Sequence, residues 1–308
     1  MIKLWKQWQR FWFGSTELLG LSLFRFLFSV VLFFMYLFRF FEFEVFFSNK
    51  GLLSITDLNT YVMDYIKPQW YLFSASDVVN KVFYVILLLL ILTLVFGIAN
   101  RAMTFLTFLL HLLFIQRNPA IVYGADLVST FWLFYLSFVN HNQFFTIRQW
   151  LPFYNKINLK GDIFSSLGFR FIQIQLCIIY AYTGMEKLKG QTWWDGSAVW
   201  YVMGNDNIVP FDFSFFQYLP WAVAVMTFST LLFEIYFPMA IWMKPLRPIW
   251  LFLGLCLHGL AMFFMGLTYF SPIMLSSYVL FLNPVVLSNF LANLRLPKQV
   301  LKFIGNNQ

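Results

Sequence analysis

The chain has 308 residues, of which 60% are hydrophobic and 22% aromatic, while only 11% are charged. With 42 Phe against so few charges, a soluble globular protein is excluded, and nearly all of the length reads as membrane spans. The net charge of +8 does not call for nucleic acid, because basic residues flanking spans serve orientation and attract anionic lipid headgroups.

The first 13 residues, MIKLWKQWQRFWF, set Lys3, Lys6 and Arg10 among Trp5, Trp8, Phe11, Trp12 and Phe13. This pattern predicts an interfacial amphipathic helix on an anionic leaflet. It lacks a small-residue cleavage site, so no cleaved signal peptide is expected. A first span at about 18–37 contains Arg25, which either faces a protein interior or snorkels to the nearby inner end. Residues 39–80 carry Glu42, Glu44, Asp57, Asp64 and Asp77 with Trp70 and Tyr71, too polar to span and too aromatic for a plain linker. Short helices resting on the bundle are expected there.

Spans follow at about 82–99 and 103–115, then a loop at 116–126 with Arg117, Asn118, Pro119, Tyr123 and Asp126, then a fourth span at about 127–139. A polar connection at 140–166 carries Arg148, Lys156 and Lys160. The fifth span starts near Leu167 and runs into the stretch FIQIQLCIIYAYTGMEKLKGQTWWDG at 171–196. Within it Gln173, Tyr180, Gly184 and Lys187 are spaced by seven, four and three, which lines them along one helix face. Gly190, Trp193, Trp194, Asp195 and Gly196 then read as an aromatic interfacial loop. Spans six to eight are expected at about 216–242, 248–265 and 269–290, with a basic tail at 291–308 carrying Arg295, Lys298 and Lys302.

The expectation is an all-α polytopic membrane bundle of about eight transmembrane helices plus interfacial helices, forming a single domain over 1–308. With Arg25 and Arg170 set aside as intramembrane, the basic residues divide 12 to 7 between the two sides, which puts both termini in the cytoplasm and Lys187 near the outer face. A multi-pass protein of the inner membrane with its active face outward follows.

Lys187 reads either as an anchor at the end of a span or as an amine held partly dry and able to accept a proton. Glu186 points about 100° away from it on a helix. His258 and His111 lie within apolar spans, where a histidine is hydrogen-bonded to a neighbouring helix, relays protons or contacts a ligand. Glu234, four residues before Pro238, is expected to pair with Arg25 or to stay protonated. Cys177 and Cys256 fall in apolar runs and read as buried thiols. Three histidines without ligand spacing argue against a metal site, and no nucleotide-binding, serine-hydrolase or CxxC signature is present.

Tyr180, Gly184, Lys187, Leu188, Trp194 and Gly196 resemble the Y-x-x-x-G-x-x-K-L…W-x-G core of the vitamin K-dependent gamma-carboxylase-like proteins, the horizontally transferred transmembrane (HTTM) domain. Arg25, the Asn118–Pro119…Gly124-x-Asp126 stretch, Glu234 with Pro238, and His258 match further pieces in the same order over nearly the whole chain. The resemblance implies a reduced vitamin K or menaquinol-type naphthoquinone bound near the outer face, with no metal. It assigns Lys187 as the base that deprotonates the hydroquinone, and places His258 at or near the carbanion formed on a peptide glutamate before carboxylation. Tyr180, Gly184, Trp193, Trp194 and Gly196 would line the quinone, while Arg25, Glu234 and Asp126 serve ionic or structural roles. Glu186 departs from members that carry a second lysine there, and the large outer domain of full-length carboxylases has no counterpart after the last span. Shorter relatives that mature secreted bacterial peptides imply the alternative of a non-catalytic partner for a secreted peptide. A transporter is a third reading, against which the lack of an internal repeat counts.

Overall fold

In a hydrocarbon environment, backbone groups find partners only within their own segment, so uninterrupted apolar runs become helices. The computed structural model describes residues 2–14, 18–57, 76–147, 161–205, 209 and 211–292, and among them there is no strand. In chain order the helices are α1 (Ile2–Phe13), α2 (Leu18–Phe41), α3 (Phe43–Phe46), α4 (Asp77–Val95), α5 (Arg101–Arg117), α6 (Gly124–Leu136), α7 (Ile163–Lys187), α8 (Gln191–Trp194), α9 (Ala198–Met203), α10 (Pro220–Ala240), α11 (Arg247–Phe264), α12 (Phe270–Ser276) and α13 (Pro284–Ala292). The expected features at Asp64, Trp70 and Tyr71, at Arg148, Lys156 and Lys160, and at Arg295, Lys298 and Lys302 lie outside the described residues.

Five of these helices, α2, α4, α7, α10 and α11, are long and apolar enough to cross a membrane. The segments Phe270–Phe281 and Pro284–Phe290 add a sixth if they count as one broken span. The hydropathy reading expected about eight. Spans three and four became α5 and α6, of 17 and 13 residues. At 1.5 Å per residue these reach about 25 and 20 Å, short of a hydrocarbon core of roughly 30 Å. Span two begins earlier than expected, at Asp77, because the Ser76 side chain caps the Val78 amide and Asp77 sits favourably in the first turn.

The chain folds as two compact units, one of residues Met1–Ile172 with Leu282–Gln308, the other of Gln173–Phe281. In the first, α2 packs along α4, α4 along α5, α5 along α6, and α13 against α2. The fully buried Leu18, Leu21, Phe24, Phe28, Leu32 and Met35 recur every three or four residues on α2, the stripe of a helix with one packed face.

Arg25 lies on that stripe and does not snorkel. Its guanidinium is fully buried and donates to the carbonyls of Leu94 (2.6 Å), Val95 (3.0 Å), Phe144 (2.7 Å) and Phe145 (2.7 Å). Leu94 and Val95 end α4, where helix carbonyls lack intrahelical donors and carry the negative end of the dipole. Gly97, with φ +64°, closes the same end in the left-handed conformation, its amide bonding to Leu94 and the Ile98 amide to Thr93. A Cβ on Gly97 would lie 2.9 Å from Thr146 and 3.1 Å from the Arg25 guanidinium.

Asp126 closes the start of α6 through a capping box with Tyr123 and receives Arg39 in a two-pronged ion pair of 2.6 and 2.9 Å. His111 is joined to the Tyr36 hydroxyl at 2.6 Å and to the Asp126 carbonyl at 3.1 Å. It therefore takes the reading of a histidine hydrogen-bonded to neighbouring helices.

In the second unit α8 and α9 pack on α10, α10 on α11, and α11 on α12. The buried residues of α11 are Gly254 and His258. Cys177 is buried as expected, whereas Cys256 is exposed, because it lies about 200° around α11 from that inward pair.

Candidate functional site

The polar line on α7 faces the interior of the second unit. Gln173 donates from Nε2 to the Leu280 carbonyl at 2.7 Å. Two turns on, the buried Tyr180 hydroxyl meets His258 Nε2 and the Tyr278 hydroxyl, each at 2.6 Å. The Tyr180 ring is walled by Phe237, whose centroid is 4.3 Å away, and by Phe233 at 5.3 Å. Three hydrogen-bonding side chains from α7, α11 and the turn after α12 thus meet inside an aromatic enclosure, where such bonds gain strength from the low dielectric.

One turn further, α7 comes close to α10. A Cβ on Gly184 would sit 3.0 Å from Ile235 Cγ1 and 3.2 Å from the Ile235 amide nitrogen, so glycine permits the approach. The approach brings Glu234 beneath the next inward residue of α7, and Lys187 Nζ donates to Glu234 Oε2 at 2.7 Å. The carboxylate side chain is 10% exposed and the amine 23%. Thr183, between Tyr180 and Lys187 in sequence, donates its hydroxyl back to the Ile179 carbonyl at 2.9 Å. Pairing of Glu234 with Arg25 is therefore corrected. Glu234 takes the lysine that the Gly184 contact delivers, and Arg25 spends its donors on carbonyls.

Beyond α7 the chain folds over the amine. Lys187 Nζ lies 5.3 Å from the centre of the Trp193 ring, within cation–π range, and Trp193 packs against Gly190. Gly196 turns the backbone with φ +80°, and a Cβ there would lie 3.1 Å from both Ala224 and Phe228 of α10. Trp194 differs from its neighbour: it donates to the Leu188 carbonyl at 2.7 Å and stays 60% exposed. Glu186 pairs with Lys189 at 2.6 Å on the exposed side, away from the site.

The second unit therefore assembles Lys187, Glu234, Trp193, Gly184 and Gly196 at the end of α7, and Tyr180 with His258 deeper along the same helix. Trp194 remains outside this cluster, and Arg25 and Asp126 belong to the first unit. Tyr278 and Gly254 were missed in the sequence. Gly254 had a signal: it precedes His258 by four residues and so shares its helix face. Tyr278 had none, because its position depends on how α12 returns against α11.

An amine hydrogen-bonded to a carboxylate under an indole can exchange a proton with a bound group, and a Tyr–Tyr–His chain can pass one along. In comparisons with known proteins, no family model, curated protein or solved structure matches the chain.

Proposed function

We propose that this membrane protein is a gamma-carboxylase-like enzyme that deprotonates a reduced, lipid-soluble naphthoquinone at Lys187. The observation that carries the reading is the Lys187–Glu234 pair, held at 2.7 Å with Trp193 against the amine. An aromatic wall beside a paired acid and base fits a flat ring bearing ionisable hydroxyls. When bound, the quinol supplies reducing equivalents and, with dioxygen, the strong base needed to deprotonate a peptide glutamate for carboxylation. Glu234 fixes the position of Nζ, which in this reading takes the quinol proton and balances the resulting anion. Tyr180 and Trp193 orient the ring, and His258 serves the deeper end of the site. Counted over the eight spans expected from hydropathy, the 12 to 7 bias of basic residues supports termini in the cytoplasm and a site at the outer face of the inner membrane.

The test is oxygen uptake and epoxide formation by the purified protein in lipid nanodiscs supplied with menaquinol. Turnover that disappears in Lys187→Ala is expected. No turnover with any naphthoquinol would sink the reading.

A second reading is favoured by the exposed aromatics that follow α7, Trp194 at 60% and Tyr201 at 64%, which offer an apolar surface to a secreted peptide. In that reading the protein is a non-catalytic partner in export or maturation. Its signature is a small co-purifying protein encoded beside it, retained undiminished by Lys187→Ala.

A further inference from the structure

His258 is satisfied on one side only. Its Nε2 meets Tyr180 at 2.6 Å, but among the described residues Nδ1 is buried with no hydrogen-bond partner, and the side chain is almost fully enclosed. Ser271, on α12, has the same deficit: the residue is fully buried and its hydroxyl has no partner. The two elements face each other. Phe270, next to Ser271, meets the His258 imidazole edge-on with ring centres 5.9 Å apart. Tyr278, seven residues after Ser271 and hence about two turns along the same side, reaches the imidazole through Tyr180.

Unmet polar atoms are costly at this depth. His258 lies six residues from the end of α11, on the order of 10 Å along the axis, so bulk water and lipid headgroups are remote. A buried polar group left unpaired there costs several kcal/mol in hydrocarbon surroundings. Nature rarely leaves two such groups on facing helices without something to join them. Beside His258 the flank of α11 is open: a Cβ on Gly259 would meet no atom within 4 Å. Most of α11 also faces outward, so entry from the hydrocarbon phase is direct.

We propose that His258 Nδ1 and Ser271 Oγ form the polar seat of a binding site for a lipophilic molecule carrying a hydroxyl or carbonyl oxygen. The ligand oxygen takes the two bonds that the protein leaves unmade, and its apolar body lies along the open flank at Gly259. Tyr278 and Tyr180 are positioning residues: they hold the imidazole by Nε2 so that Nδ1 stays turned to the ligand. It shares Tyr180 and His258 with the site proposed above, but binding here does not require the proton transfer at Lys187.

The experiment uses the full chain in lipid nanodiscs with 2-naphthol as probe, 2-methylnaphthalene as its counterpart without oxygen, and empty nanodiscs as the partition blank. Saturable binding of 2-naphthol is expected, with 2-methylnaphthalene at least fivefold weaker. Ser271→Ala and His258→Phe should each weaken 2-naphthol by roughly five- to tenfold, the value of one hydrogen bond, and leave 2-methylnaphthalene unchanged. Ser271→Ala is the safer variant for folding, since its hydroxyl makes no bond that could be lost. Equal binding of the two probes, as expected if the seat holds only water, overturns the proposal, as does binding indifferent to Ser271→Ala or not saturable at all. Binding with this dependence but no oxygen uptake would leave this site standing and remove the quinol reading.

Discussion

Gly254 and Tyr278 occupy one another's space. A Cβ on Gly254 would lie 2.1 Å from the Tyr278 hydroxyl and 2.6 Å from its ring, so the tyrosine reaches Tyr180 only because α11 is bare there. Five residues on, Gly259 has no neighbour that a Cβ would touch.

The two glycines should therefore respond in opposite directions. Gly254→Ala must push Tyr278 out of the hydrogen-bonded chain, and an overpacked site of this kind costs about 1–3 kcal/mol. Gly259→Ala should be neutral or stabilising by up to about 1 kcal/mol, since alanine is the better helix former. Thermal unfolding of the two variants in the same micelles checks the contrast, and equal destabilisation would show that Tyr278 is not seated against Gly254.

Arg25 should be the most sensitive ionisable residue of the first unit. Its fork reaches carbonyls on two separate segments, a geometry that an ammonium cannot reproduce. Arg25→Ala is expected to cost about 3 kcal/mol or more, because buried carbonyls lose their donors at about 1–3 kcal/mol each. Arg25→Lys should recover part of the loss. Gly97→Ala should cost about 1–2 kcal/mol through its positive φ alone, and more if Thr146 cannot yield. Denaturant unfolding monitored by tryptophan emission orders the three.

Asp162, just before α7, gives a pH dependence. It accepts the Ser165 amide at 2.9 Å and the Ser165 hydroxyl at 2.6 Å, and forms an ion pair with Arg101. Partial burial alone would raise its carboxyl, but the bonds from Ser165 and Arg101 outweigh that and hold it below the ordinary aspartate value. A carboxyl that releases its proton more readily when folded stabilises the protein above the unfolded value of about 3.9, and the contribution fades as pH falls through the folded value. Asp162→Asn keeps a capping oxygen and removes the titration. The stability difference between wild type and this variant should be constant from pH 5 to 7 and shrink below pH 4. A difference that stays flat into acid would mean that Asp162 gains nothing from its partners.

Much of this was readable along the chain because it depends on local spacing. Gln173, Tyr180, Gly184 and Lys187 share a face by helical periodicity alone, and Gly184 needed only to be small. The caps at Ser76 and Asn100 also act within three residues of themselves, but a reading by apolar runs passes over them, and span two was expected to start later than Asp77. The end of α6 was harder, since its apolar run continues through Phe138 and Val139 while the helix stops at Leu136.

Composition and periodicity alone determined an all-helical, membrane-type chain and put the α7 residues on one face, because both act before any long-range contact forms. Which group meets Lys187 was decided by tertiary structure. Glu234 is 47 residues away and arrives only because α10 can close on the bare backbone at Gly184. The open nitrogen of His258 likewise became visible only once Tyr180, Tyr278 and Phe270 had taken their places around it, since a donor or acceptor is left over only after the others are spoken for.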